Sequence, residues 1–136
     1  MGRVAAVARL AKSGDGESMH DNEAQFNFQR LDVYRCASDF LAACASITQQ
    51  LPRGNGALSD QLRRAALSIP LNIAEAQGRS SPGEAARAYA IARGSAMECA
   101  AIIDAARVLN AVSAHDATKG QALLVRVVSM LSKLCR

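Results

Sequence analysis

From about residue 30 to the end of the chain, apolar residues recur every three or four positions, the period of an α-helix. Tyr34, Ala37, Leu41, Cys44, Thr48 and Leu51 predict a first helix near 30–51. Pro52 ends it, and "PRGNG" makes a tight connection. Leu58, Leu62, Ala65, Ile69, Ile73 and Ala76 predict a second helix starting near 57, with Gly78 as its C-terminal glycine. The third has the clearest start: Ser81 as N-cap, Pro82 as the first helical residue and Glu84 as the returning carboxylate of a capping box. It is expected to run to about Asn110, with Ala88, Ile91, Ser95, Glu98, Ile102, Ala105 and Leu109 along one face. Ser113 with Asp116 starts a fourth, near 114–135, with Leu124, Val128, Leu131 and Cys135 inward. Strand-like alternation and hairpin signals are lacking.

Four long helices with short loops pack most simply as an all-α, antiparallel up-down-up-down four-helix bundle. It is expected over residues 26–136, behind a flexible N-terminal tail. Residues 1–25 read as disordered or weakly ordered, because "KSGDGESMHDNEAQ" is polar and without period, although a short helix at 3–12 is compatible with "VAAVARLAK". Hydrophobic residues make up 50% of the chain but aromatics only 4%, with no Trp. Much of the apolar content is Ala, so the core is thin. That favours closely packed helices completed by contacts between subunits.

One stretch interrupts the apolar pattern: "SIPLNIAEAQGRS", Ser68 to Ser80. Pro70 removes a backbone donor and crowds the carbonyl of Ala66, so a kink is expected there, with Asn72 or a water satisfying the freed backbone group. Asn72 and Glu75 lie i, i+3 on the second helix; Ser95 and Glu98 lie i, i+3 on the third. These four read as a structural polar network. Counting equal distances from the turn pairs Arg87 with Glu75, and Arg64 with Glu98 or Ser95, while Arg93 serves the bundle or a neighbouring subunit. Di-metal bundles use Glu-x-x-His, and neither glutamate here is followed by a His, so no metal centre is expected. Gly94 stands alone, without the second glycine a phosphate loop needs, and is expected to permit close backbone approach at a helix crossing.

Net charge is +4, with 13 Arg against 3 Lys. Residues 26–136 hold 13 basic and 8 acidic groups, so the excess lies in the bundle. Arg63, Arg64, Arg79, Arg87 and Arg93 surround the turn between the second and third helices, against Asp60, Glu75 and Glu84. They read either as internal ion pairs or as phosphate contacts. Only Tyr89 is interleaved with them, so any RNA binding is expected to be backbone-directed and salt-sensitive. Cys36, Cys44, Cys99 and Cys135 have no metal-ligand spacing and read as free thiols of a reducing cytoplasm. No apolar run is long enough for a membrane span, and no cofactor is expected.

The strings "FQRLDVYRCA", "LSDQLRRAALSIPLNIAEAQGR" and "YAIARGSAMECAAIIDAA" resemble a family of small bacterial four-helix-bundle proteins. Some of its members are encoded in intervening sequences of large-subunit ribosomal RNA genes. The likeness covers about residues 26–135. Its most specific part runs from Gln61 to Arg79, followed by Ala92, Arg93, Gly94, Ser95 and Glu98. The chain departs from the pattern at Tyr34, where Trp is common, and at Ala76, where Gly is usual. The resemblance implies homo-oligomeric rings, pentamers above all, and no catalytic activity. A related group, the accessory proteins of diversity-generating retroelements, binds a reverse transcriptase and nucleic acid. Two functions are therefore expected in competition: a homo-oligomeric scaffold or adaptor with weak RNA binding, or a purely structural protein–protein module. An enzyme is not expected, for want of a nucleophile–base pair, a metal cluster or a nucleotide loop.

Overall fold

A computed structural model describes residues 24–136. The tail expected over 1–25, and the short helix within it, lie almost wholly outside the described residues. Four helices follow: α1 (Asp32–Gln50), α2 (Gly56–Gln77), α3 (Pro82–Val108) and α4 (Ala114–Leu134). Each packs against two neighbours, α1 on α2 and α4, α3 on α2 and α4, with no diagonal contact. With connections of a few residues, that is an antiparallel up-and-down bundle. No helix among the described residues is long and apolar enough to cross a membrane. Two short 3-10 turns, Asn27–Arg30 and Arg53–Asn55, precede α1 and α2 and were not evident in the apolar pattern. The first is fastened by aromatic contacts: Phe28 stacks on Phe26 and meets Tyr34 edge-on.

The helix ends follow local chemistry. Ser81 Oγ accepts from the Glu84 N–H at 3.2 Å, and Ser113 Oγ accepts from the Asp116 N–H at 3.1 Å. Each satisfies one of the donors that a helix start leaves orphaned. Only this forward half of the capping box at α3 forms. Gly78 closes α2 in a right-handed conformation, φ −89°. The left-handed residue is instead Asn110, φ 53°, after α3, where a short polar side chain tolerates that backbone. Between α1 and α4, the Gln50 amide donates to the Asp116 carboxylate. That bond, followed by the one from Ser113, holds the carboxyl below its usual range.

The expected α2 stripe is the observed one, buried from Leu62 to Ala76 with Leu58 at its edge. On α1 the buried face centres one position from the expected stripe: Phe40 and Ile47 are fully buried, while Tyr34 and Leu41 are partly covered. On α3 only Ala88 and Ile102 of the expected face are buried. Ile91, Glu98, Ala105 and Leu109 are exposed, and the core is built by Ala88, Tyr89, Ala92, Ala96, Cys99, Ile102, Ile103 and Ala106. The true stripe is rotated by about one residue, ~100°. Alanines lie all round α3, so its apolar contrast is weak. The bulk of Tyr89, Cys99 and Ile103 selects the face.

The glycine of closest approach is Gly120 in α4, not Gly94. A Cβ on Gly120 would stand 3.3 Å from Ile103 Cδ1, 3.5 Å from Ile47 Cδ1 and 3.7 Å from Phe40 Cε1. Three helices therefore meet over one missing methyl. A Cβ at Gly94 would meet nothing within 4 Å. Overpacking a core by a few carbons costs about 1–3 kcal/mol. Gly120→Val is accordingly expected to destabilise the bundle by about that amount in chemical unfolding. Gly83→Ala, at an open site in the first turn of α3, should leave stability unchanged or raise it by up to about 1 kcal/mol.

Candidate functional site

The residues singled out in the sequence converge on the α2–α3 hairpin, but they divide into three separate groups. The first is a polar seam between the two helices. Ser95 Oγ donates to Ser68 Oγ at 2.9 Å. Asn72 Nδ2 donates to the Ser68 carbonyl at 2.8 Å and reaches Ser68 Oγ at 3.0 Å. All three side chains are half-buried. α2 is continuous through Pro70, whose ring is buried in the core. The carbonyl that Asn72 meets is that of Ser68, not that of Ala66, which Pro70 deprives of its donor. Asn72 turns inward as expected, yet it ties Ser68 within α2 rather than repairing the backbone at the proline. Ser68, the hub, stood out in the sequence only as part of the family string. Its position four residues before Asn72 was the available signal.

The second group is a groove of about 390 Å³ near the turn, lined by Glu75, Arg79, Glu84, Arg87, Ala88 and Ile91. Glu75, in the last turn of α2, pairs with Arg79 just past the end of that helix, and not with Arg87. Both partners are about half exposed, so the pair contributes little to stability. Glu98, exposed on α3, accepts from the Gln61 amide and not from Arg64. The equal-distance count failed here because outward-facing side chains meet neighbours one turn along the chain or across the seam's rim. Gln77 donates to the Tyr89 hydroxyl at 2.6 Å, closing the seam at the turn end.

The third group is the rest of the arginines. Arg63 and Arg64 are exposed on α2 with no carboxylate within 4 Å among the described residues. Arg93 is half-buried on the other flank of α3 and reaches Ser132 of α4 at 3.5 Å. The five arginines thus form no single basic surface. Two carboxylates share the groove with Arg79 and Arg87, which cancels the local charge.

A family model for the 23S rRNA-intervening sequence protein matches residues 29–133. The chain belongs to that family. No curated protein matches it. The match spans all four helices, so the seam and the groove are features of a family member's bundle and not of an added segment. Among the described residues, no group of three His, Cys, Asp or Glu side chains is placed to hold a metal. None of their hydrogen bonds joins a histidine to a serine or cysteine. The four thiols are unpaired by disulfide. Burial pushes the Cys44 and Cys99 thiols up to about 12, which keeps them protonated and unreactive at neutral pH.

The seam makes a quantitative expectation. A neutral hydrogen bond contributes about 1 kcal/mol net, and leaving a half-buried partner unpaired costs a similar amount. Ser68→Ala and Ser95→Ala should each cost about 1 kcal/mol in urea unfolding. The double variant should cost less than the two together, because the bond is lost only once.

Proposed function

We propose that the protein is a non-enzymatic, homo-oligomeric helical-bundle scaffold that works through its surfaces and not through a reactive centre. The observation that carries this reading is the apolar side chains left uncovered on more than one flank. Leu67 and Leu71 on α2, Ile91 on α3 and Val125 on α4 are all exposed in the single chain, Val125 by 68%. A chain with so thin a core has few large apolar residues to spare, and uncovered apolar surface of this kind marks contact with another protein. The family resemblance points to five copies in a ring. The account expects a mass in solution that is a multiple of 14.3 kDa, the five-fold multiple for the ring alone. A monomer at every accessible concentration contradicts it.

A second reading, contact with an RNA backbone, is favoured by one observation: Arg63 and Arg64 stand exposed side by side without a carboxylate neighbour. Such contact releases counterions, so affinity should fall steeply with salt. Titration of an RNA duplex at increasing salt tests it. Arg63→Ala/Arg64→Ala is expected to weaken binding and to reduce the salt slope by about 2. No binding at low salt leaves the scaffold without this role.

A further inference from the structure

α3 is the helix least finished by its own bundle. At ~100° per residue, Ala90, Gly94, Met97, Ala101, Ala105 and Val108 share its outward side, a line of about 27 Å without a charge. Gly94 opens onto empty space, and Met97 and Val108 are 58% and 81% exposed. The nearby charges are turned aside toward α4 and the turn before it, onto neutral groups. Arg93 reaches Ser132 Oγ at 3.5 Å, the Asp104 carboxylate accepts from the Gln121 amide at 3.1 Å, and Arg107 donates to the Val112 carbonyl at 3.4 Å. Among the described residues, none of the three has an opposite charge within 4 Å. A helix that is apolar all round is normally a buried one. In the single chain, one side of α3 faces solvent.

The surfaces on the two sides of α3 differ, and they complement each other. On one side, the outward line of α2 reads Asp60, Arg64, Leu67, Leu71, Glu75, all exposed and all within the helix. On the other, the α4 edge of α3, taken from its C-terminal end, reads Arg107, Asp104, Ala100, Met97, Arg93. Asp60 answers to Arg107, Arg64 to Asp104 and Glu75 to Arg93. Between the charges, Leu67 answers to small Ala100 and Leu71 to Met97. The bond between Ser68 and Ser95 sets the levels within one chain. Counting from it, the α2 line must move about five residues, ~7.5 Å, along α3 to bring these pairs together. Its own α2 is fixed on the other flank and cannot do so. The α2 of a second copy can, and a tilt of each bundle against the axis of an assembly supplies the offset. Val125, 68% exposed on α4, borders the receiving edge and falls between Leu67 and Leu71 at that offset.

We propose that these two surfaces are the halves of one heterologous contact between copies of this chain: the outward line of α2 in one copy lies antiparallel along the α3–α4 edge of the next. This rests on the self-association proposed above and names its surfaces. Arg64 meets Asp104 of the partner subunit, Leu71 packs on Met97 and Val125 of the partner subunit, and Glu75, beside its own exposed pair with Arg79, meets Arg93 of the partner subunit. Because the halves are unlike, every copy offers one to each neighbour, and the contact closes into a ring wherever its rotation allows, five copies included. α3 is then covered from both sides, and α1, which exposes no large apolar residue, faces outward. Opposed charges around an apolar centre suit this occupant and not a polyanion.

Sedimentation of the full chain over a concentration series tests the proposal. Leu71→Asp spoils one half of the contact and Val125→Asp the other. Each should weaken association about tenfold or more, because it buries a charge without a partner. Each should keep its helical circular dichroism, since both residues are exposed in the single chain. Mixed together, each variant retains the half that the other lacks. The mixture is expected to form a one-to-one pair of twice 14.3 kDa where either variant alone is monomeric. Arg64→Asp should weaken association, and Asp104→Arg in the same chain should return it to within about threefold of the original. A mixture that stays monomeric, a double variant as weak as Arg64→Asp, or assembly insensitive to Leu71→Asp and Val125→Asp overturns this contact and leaves self-association to another surface. A chain monomeric at every concentration overturns both, before any variant is made.

Discussion

One hydrogen bond fixes the register on which the outer surface depends: Ser95 to Ser68, in a seam of small residues between α2 and α3. Small side chains let two helices approach closely, and closely packed helices slide against each other unless something directional stops them. The seam supplies that direction. Asn72 ties Ser68 to its own helix, and Gln77 with Tyr89 closes the turn end. Once the register is set, the position of every outward residue on α2 is fixed against every outward residue on α3. A slip of one turn, ~5.4 Å, would carry Arg87 and Glu98 out of level with Arg64 and Glu75.

The same economy of bulk runs through the core. Alanines fill much of the interior of α2 and α3, and Gly120 lets α4 close down on Phe40, Ile47 and Ile103. Tight packing of small residues buries less apolar area per residue than large side chains would, at roughly 25 cal/mol per Å². Several of the larger aliphatic residues are placed outside instead, on the α2–α3 face and on α4. A bundle built this way has reason to complete its burial with another copy. Its charges follow a looser rule: among the described residues Arg79 alone has a carboxylate within 4 Å, that of Glu75.

What was legible in the sequence was whatever local chemistry determines. The stripe of α2, the caps at Ser81 and Ser113 and the breaks at Pro52 and Gly78 follow from nearest neighbours along the chain. The face of α3 was not legible, because alanine lies on every side of it and the choice is made by Tyr89 and Ile103 finding room between other helices. The two glycines were exchanged in role for a related reason: closeness to Gly120 depends on three helices at once, and nothing along the sequence announces it. In the polar set, the count from the turn located the correct pair of helices but not the partners. Glu75 found Arg79 just past the end of its own helix, Glu98 found Gln61, and Arg93 turned to the opposite flank.

The register of α2 against α3 is tested most directly by a crosslink within the chain. Ser68 and Ser95 stand side by side at 2.9 Å between their hydroxyls, so Ser68→Cys with Ser95→Cys is expected to close a disulfide under mild oxidation. Ser68→Cys with Ile91→Cys, one turn out of level, is expected to stay open. Closure of the offset pair in preference to the level one would show that the helices sit in another register.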